Sequence, residues 1–255
     1  MAIQKSDMLL RDSVVKFTYT DSFIVSAAVP NQFSNPTFVH KVFYANSPTN
    51  VEVSSSGSWT SQTQALTTCP GVTDWVADNG GSGGKYREGS CFASSITVSV
   101  MPLDNGQLAI QELCKLIVHC GTSNIDWGAV YTTSNNTDTH CKMPLTMTKF
   151  VKTSSHMDYK GATLKMNYAF KKMNAGSNVI QNTFHNNTTP NEKDFFYVGL
   201  LPMNVTEYLS NTQSTPKCLI NITIDYICKL TEPQADESGL LGETAIISRR
   251  KKKIF

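Results

Sequence analysis

Histidine and cysteine are the residues of this 255-residue chain best suited to metal binding or nucleophilic catalysis, and they form no established catalytic motif. Two His-Cys pairs, His119-Cys120 and His140-Cys141, could supply four zinc ligands. Neighbouring residues on a strand point to opposite faces, however, so such pairs chelate a metal poorly. The motifs H-E-x-x-H and H-x-E are both missing from the sequence. We therefore expect a protein without enzymatic activity, metal site or cofactor.

The glycine-rich run NGGSGGKY at 79–86 has the composition of a phosphate-binding loop but not its motif. The G-x-x-x-x-G-K-[ST] motif requires Gly where this chain has Asn79, and Ser or Thr where it has Tyr86. No strand-helix-strand unit is predicted around the run, which argues against a nucleotide site. The pattern instead indicates a flexible loop.

Basic residues are concentrated in two segments, although the whole chain carries a net charge of only +2. The segment 142–172 contains seven lysines and a single acid, Asp158, which gives it a local charge of +6. Five further basic residues form the run 249–253, which follows four carboxylates placed between 232 and 243. The low net charge therefore arises because basic and acidic segments lie apart in the chain and cancel in the total. The two basic segments are candidate sites for a polyanion.

Lysine and arginine bind phosphates without sequence preference, and aromatic side chains can stack on the bases of single strands. The candidate nucleic-acid-binding residues are Lys149, Lys152, Lys160, Lys165, Lys171, Lys172, Arg249, Arg250, Lys251, Lys252 and Lys253, and the candidate base-stacking residues are Phe150 and Tyr159. Two alternatives remain for these residues. The middle lysines can form an ordinary solvated sheet face, and the terminal run can serve as a nuclear import signal or a solubilising tail.

The elements that must position these residues are predicted to be β-strands. Apolar and polar residues alternate clearly in 15–20, 95–100, 163–170 and 220–226. This period of two indicates antiparallel sheets with one buried face, and it places Lys165 on the polar face of its strand. Weaker strand candidates are 38–44, 145–151 and 195–201. The segment 108–120 fits a helical face and a strand equally well.

Composition and pattern together predict an all-β protein, with hydrophobic residues at 40% and 53 Ser and Thr residues. No apolar run approaches the ~20 residues of a membrane span, and the N-terminus lacks a signal-peptide stretch. We expect an N-terminal arm at 1–12, a β domain at 13–231 and a flexible acidic-then-basic tail at 232–255. Roughly eight strands with long loops predict a two-sheet antiparallel sandwich, in particular an eight-stranded jelly roll.

The order of these features resembles the single jelly-roll capsid proteins of circular Rep-encoding single-stranded DNA (circovirus-like) viruses. The resemblance covers roughly 13–232, and it includes the turn from Lys171 and Lys172 to Gly176 and the closing N-x-T-x-D-Y strand that begins at Asn221. Such proteins usually carry a long Arg-rich arm at the N-terminus, whereas the basic run of this chain is short and C-terminal.

The resemblance implies a coat protein found in the virion, with the host nucleus as a candidate place of assembly. Its partners would be about sixty copies of itself in an icosahedral T=1 shell, a single-stranded DNA genome and an unidentified host receptor, without any membrane. The alternatives are the coat protein of a small RNA or satellite virus and a lectin-like β-sandwich binding module. A cupin-type enzyme is disfavoured because the histidines are not clustered.

Overall fold

The computed structural model describes residues 12–26, 39–63, 66–103, 113–122, 144–152, 161–174, 178–202 and 217–234. Within these ranges the chain forms eleven strands, two short α-helices and one 3-10 turn. The strands are β1 (Ser13–Ser26), β2 (Val39–Tyr44), β3 (Glu52–Ser56), β4 (Ser58–Ser61), β5 (Tyr86–Leu103), β6 (Leu113–Gly121), β7 (Thr146–Lys152), β8 (Ala162–Ala169), β9 (Thr183–Phe184), β10 (Phe195–Pro202) and β11 (Lys217–Pro233). The helices are α1 (Val72–Trp75) and α2 (Phe170–Met173).

The strands form two antiparallel sheets whose order identifies the fold. The first sheet has the order β4-β1-β11-β5-β8, with β9 paired to β5, and the second has the order β3-β2-β10-β6-β7. Without the three short strands β3, β4 and β9, each sheet keeps four strands. Counted in chain order, these are strands 1-8-3-6 in one sheet and 2-7-4-5 in the other. This interleaving of two Greek keys is the eight-stranded jelly roll, so the predicted fold class is confirmed.

The core lies between the two sheets and follows the predicted alternation. On β5, Ile96, Val98 and Val100 are buried, and each is paired with an isoleucine of β11 in register. Burial of this inner face removes apolar surface from water and is the main force that holds the sheets together. The outer positions of the same strands carry Ser, Thr and Asn, which are partly exposed.

The second sheet departs from this simple pattern, because β6 is buried on both faces. Leu116 and Val118 contact the core, while Ile117 and His119 on the opposite face are only 3% and 5% exposed. The ring of His119 packs near that of Tyr197. A strand that is buried on both sides lacks polar alternation, which is why 108–120 fitted a helix as well as a strand. The structure shows that 113–120 belongs to a strand, and 108–112 lies outside the described residues.

The glycine-rich run precedes β5 as a loop, as predicted. Gly81, Gly83 and Gly84 all have positive φ angles, between 68° and 80°. A Cβ atom on Gly84 would lie 2.4 Å from the backbone of Val76 and Ala77. These glycines therefore serve a tight turn and a close backbone approach.

The first and the last strand of the domain lie side by side. β1 pairs with β11 along its whole length, and Ser13 is opposite Leu230. Asp12, just before β1, forms an ion pair of 2.7 Å with Lys229. Among the described residues, no helix is long and apolar enough to cross a membrane. The division into arm, domain and tail stays a prediction.

Candidate nucleic-acid interface

The outer face of the first sheet carries a regular array of small polar side chains. Cross-strand register places Thr20, Thr223, Thr97 and Lys165 in one row over β1, β11, β5 and β8. The two flanking rows contain Thr18, Asp225, Ser95 and Asn167 on one side and Ser22, Asn221, Ser99 and Thr163 on the other. We call these twelve residues the hydroxyl face. The predicted position of Lys165 on the polar face of its strand is therefore confirmed.

Hydrogen bonds within the flanking rows fix several of these side chains. Thr18 donates to the Asp225 carboxylate at 2.7 Å, and Lys16 lies 3.0 Å from the same carboxylate. Partial burial acts to raise the pKa of Asp225. The hydrogen bonds from Thr18 and Lys16 and the charges of Lys16 and Lys165 act to lower it and outweigh burial, so the pKa lies below its usual value. The carboxylate of the hydroxyl face is thus ionised and neutralised by its neighbours.

Lys149 reaches the edge of the same face from the other sheet. Its Nζ donates a hydrogen bond of 2.8 Å to the backbone carbonyl of Thr163 on β8. Phe150, the next residue, is 57% exposed and lies opposite Lys115, whose Nζ is 5.6 Å from the centre of the Phe150 ring. Successive residues on a strand face opposite ways. The side chain of Lys149 therefore reaches β8, the strand that carries Lys165, whereas the side chain of Phe150 points away from β8.

The predicted pair Lys171 and Lys172 is exposed on α2, at the end of β8. Two residues flanking this helix, Tyr168 and Asn174, donate hydrogen bonds to the buried carboxylate of Asp194, the second at 2.7 Å. Burial is the main cause that raises the pKa of Asp194, although these two hydrogen bonds act against the rise. Asp194 begins the approach to β10, so it ties the lysine-bearing turn to the second sheet.

Of the remaining candidates, only Lys152 lies within the described residues. Lys152 is the last residue of β7. Tyr159, Lys160 and the run from Arg249 to Lys253 lie outside the described residues. Within the described ranges, no group of three or more His, Cys, Asp or Glu side chains could hold a metal ion.

Sequence reasoning missed the rows of the hydroxyl face. The signal was present, because Ser, Thr and Asn occupy the polar positions of each alternating strand. The sequence does not reveal which strands pair. β1 pairs with β11 about two hundred residues away, and β11 pairs with β5 over one hundred residues away. Only that register aligns the separate hydroxyl groups into one surface.

No protein-family model matches the chain, and no curated protein matches it. Among solved structures it is similar to the giant freshwater prawn Macrobrachium rosenbergii nodavirus semi-empty VLP, with 10% identity and a TM-score of 0.45 over 88% of this chain and 96% of that one. It is also similar to Mud crab tombus-like virus, with 9% identity and a TM-score of 0.43 over 92% and 88% of the two chains. Desmodium yellow mottle tymovirus follows, with 9% identity and a TM-score of 0.36 over 89% and 91%. The fold assignment therefore depends on the strand order of the chain itself.

Proposed function

We propose that this chain is a viral coat protein that assembles with copies of itself into a small icosahedral shell and packages a single-stranded genome through lysine and arginine contacts with phosphates. The observation that carries the proposal is the complete jelly-roll strand order, an architecture used by viral capsid domains. Lectins and cupins also use it, so the fold alone does not decide between these functions. The exposed lysines beside a polar sheet face favour a polyanionic partner over a glycan.

Features of β7 support the self-assembly part of the proposal. Leu145, Met147 and Phe150 are 54%, 41% and 57% exposed. Among the described strands β7 pairs only with β6, so its other edge has no strand partner within the described part of the chain. An open edge bordered by exposed apolar side chains favours contact with another protein surface. In a coat protein, that surface would belong to a neighbouring copy.

The finer features of the proposal come from the sequence. The resemblance to circovirus-like capsid proteins implies single-stranded DNA, a T=1 shell of about sixty copies and assembly in the host nucleus. The coat protein of a small RNA virus is the alternative, because lysine contacts with phosphates are equally available to both polymers. Virion location and an unidentified host receptor belong to the same proposal.

The test is to express the full chain and examine it by size exclusion and negative-stain microscopy over a range of salt concentrations and pH. Uniform closed particles are the expected result, and a strict monomer under all conditions would overturn the proposal. Nucleic acid extracted from the particles is then treated with DNase or RNase. Sensitivity to DNase supports the DNA assignment, sensitivity to RNase supports the alternative, and particles that never hold nucleic acid contradict the packaging role.

A further inference from the structure

The middle row of the hydroxyl face differs from the two flanking rows in its hydrogen bonds. In the described part of the chain, the hydroxyls of Thr20, Thr97 and Thr223 have no side-chain hydrogen-bond partner, whereas hydroxyls in both flanking rows do. Neighbouring strands lie about 4.8 Å apart, so a row over four strands spans about 14 Å. Three unpaired hydroxyls and the ammonium group of Lys165 are thus presented in a line.

The side chains on this face restrict what can bind there. Its twelve residues are Ser, Thr and Asn apart from Asp225 and Lys165, and none is aromatic. Protein interfaces are enriched in aromatic residues at their centre, and stacking platforms for bases require them. Hydroxyl, amide and ammonium groups instead donate hydrogen bonds to phosphate and sugar oxygens. The chemistry of the face therefore suits a nucleic-acid backbone better than bases or another protein.

Charge complementarity points to the same occupant. Asp225 is the one acidic residue among the twelve, and Lys16 neutralises it at 3.0 Å. Lys165 remains at one end of the middle row, and the Nζ of Lys149 lies at the edge beside Thr163. A phosphodiester chain would therefore meet a weakly positive surface whose hydrogen-bond donors are mostly neutral.

We infer that the hydroxyl face binds the sugar–phosphate backbone of a nucleic acid chiefly through neutral hydroxyl donors, with Lys165 as its cationic contact. This inference rests on the proposed function for the identity of the partner, and it adds the site and the mode of binding. Each lysine that neutralises a phosphate of a single strand steepens the salt dependence of binding by about 0.7 in the slope of log K against log salt. A hydroxyl donor adds affinity without releasing a counterion, so it leaves that slope unchanged.

The experiment measures binding of the full chain to fluorescent oligothymidylate at several salt concentrations. The variant Thr20→Val, Thr97→Val and Thr223→Val removes the three hydroxyls with little change of shape, and roughly a tenfold loss of affinity with an unchanged salt slope is expected. The variant Lys165→Gln should lower the slope by about 0.7. Thr148→Val, on the outer face of the second sheet, is the matched control and should bind like the wild type.

Replacement of the same three residues by serine retains the hydroxyls and should retain binding. If the triple valine protein does not fold, the single variant Thr20→Val gives the same test with a smaller loss. Two results would overturn the inference while the proposed function stands. One is a triple valine variant that binds oligothymidylate as tightly as the wild type. The other is a triple valine variant whose salt slope falls as it does in Lys165→Gln. A wild-type chain that binds no oligonucleotide and packages none contradicts the proposed function as well.

Discussion

Lys149 donates a hydrogen bond from its Nζ to the backbone carbonyl oxygen of Thr163 over 2.8 Å. The two residues belong to β7 and β8, the edge strands of different sheets on the same side of the sandwich. The bond connects these two strands, and through them the two sheets. A residue that the sequence nominates for phosphate contact thus also has a structural role.

We expect Lys149→Met to lower the free energy of unfolding by about 1 kcal/mol or less, because the methionine keeps the apolar stem and loses only a partly solvated hydrogen bond. Urea denaturation measures the change. Lys172→Met is the matched control, since Lys172 is exposed on α2, and its stability should stay at the wild-type value. Equal stability of all three proteins would show that the Lys149 bond contributes nothing.

Phe150→Ser should impair particle formation without unfolding the protein. The side chain is 57% exposed, so its replacement costs the isolated domain only about 0.5 kcal/mol. If β7 contacts a neighbouring copy, however, the change removes apolar contact area from that interface. Size exclusion at increasing protein concentration checks the result against Val14→Ser, which removes a side chain that is 64% exposed on the other sheet. Normal assembly of Phe150→Ser would exclude this residue from the interface.

Asp194 should make the protein less stable as the pH rises. Burial raises the pKa of its carboxyl in the folded state, whereas in the unfolded chain the pKa is about 4. Between these values the folded state holds a proton that the unfolded state has released, so the free energy of unfolding decreases as pH increases. Asp194→Asn should abolish this decrease in urea titrations made above pH 4.

Asp225→Asn is the control for that experiment, because the pKa of Asp225 is lowered in the folded state. Its contribution to stability is present above the unfolded pKa and is lost only as the pH falls through the folded value. The Asp225→Asn profile should therefore keep the decrease above pH 4. A profile of Asp194→Asn parallel to that of the wild type would contradict the prediction.

His119 should make the protein less stable as the pH falls, which is the opposite of the effect of Asp194 over part of the same pH range. Burial lowers its pKa to about 4, from about 6.5, and Nδ1 lies 2.8 Å from the Thr146 hydroxyl. Below pH 6.5 the unfolded state binds a proton that the folded state excludes, so stability falls with decreasing pH until about 4. His119→Gln should remove this fall, measured as the midpoint of urea unfolding at each pH, and the partly exposed His185→Gln control should retain it.

Gly84 and Gly83 form a matched pair for testing the close approach in the loop before β5. Both have φ near +69°, so alanine at either position has a strained backbone. At Gly84 a Cβ atom would also lie 2.4 Å from backbone atoms, whereas nothing lies within 4 Å at Gly83. Thermal unfolding should show a loss of about 1 kcal/mol for Gly83→Ala and clearly more for Gly84→Ala. Equal losses would mean that the backbone shifts freely.

Local patterns predicted those parts of the fold in which one face of a strand is buried and the other is solvated. The alternation around Ile96 and Ile222 gave the strands β5 and β11 and the direction of their side chains, and it placed Lys165 on the outside. It failed for β6, where Ile117 and His119 are buried on the outer face, because burial on both sides removes the polar positions that mark a strand.

The sequence predicted individual residues of the candidate site but not their arrangement in space. The charge of 142–172 identified Lys149 and Lys165, but the hydrogen bond from Lys149 to Thr163 depends on the approach of two edge strands from different sheets. The alignment of Thr20 with Thr223 and Thr97 likewise depends on long-range register. Both contacts depend on the packing of the whole sandwich, so they cannot be predicted from a short segment of sequence.

The pairing of Ser13 with Leu230, together with the ion pair between Asp12 and Lys229, brings the entrance and the exit of the domain to one corner of the first sheet. Any segment attached before β1 starts beside any segment attached after β11. A basic run joined to either end of the domain would therefore start from the same corner of the sheet.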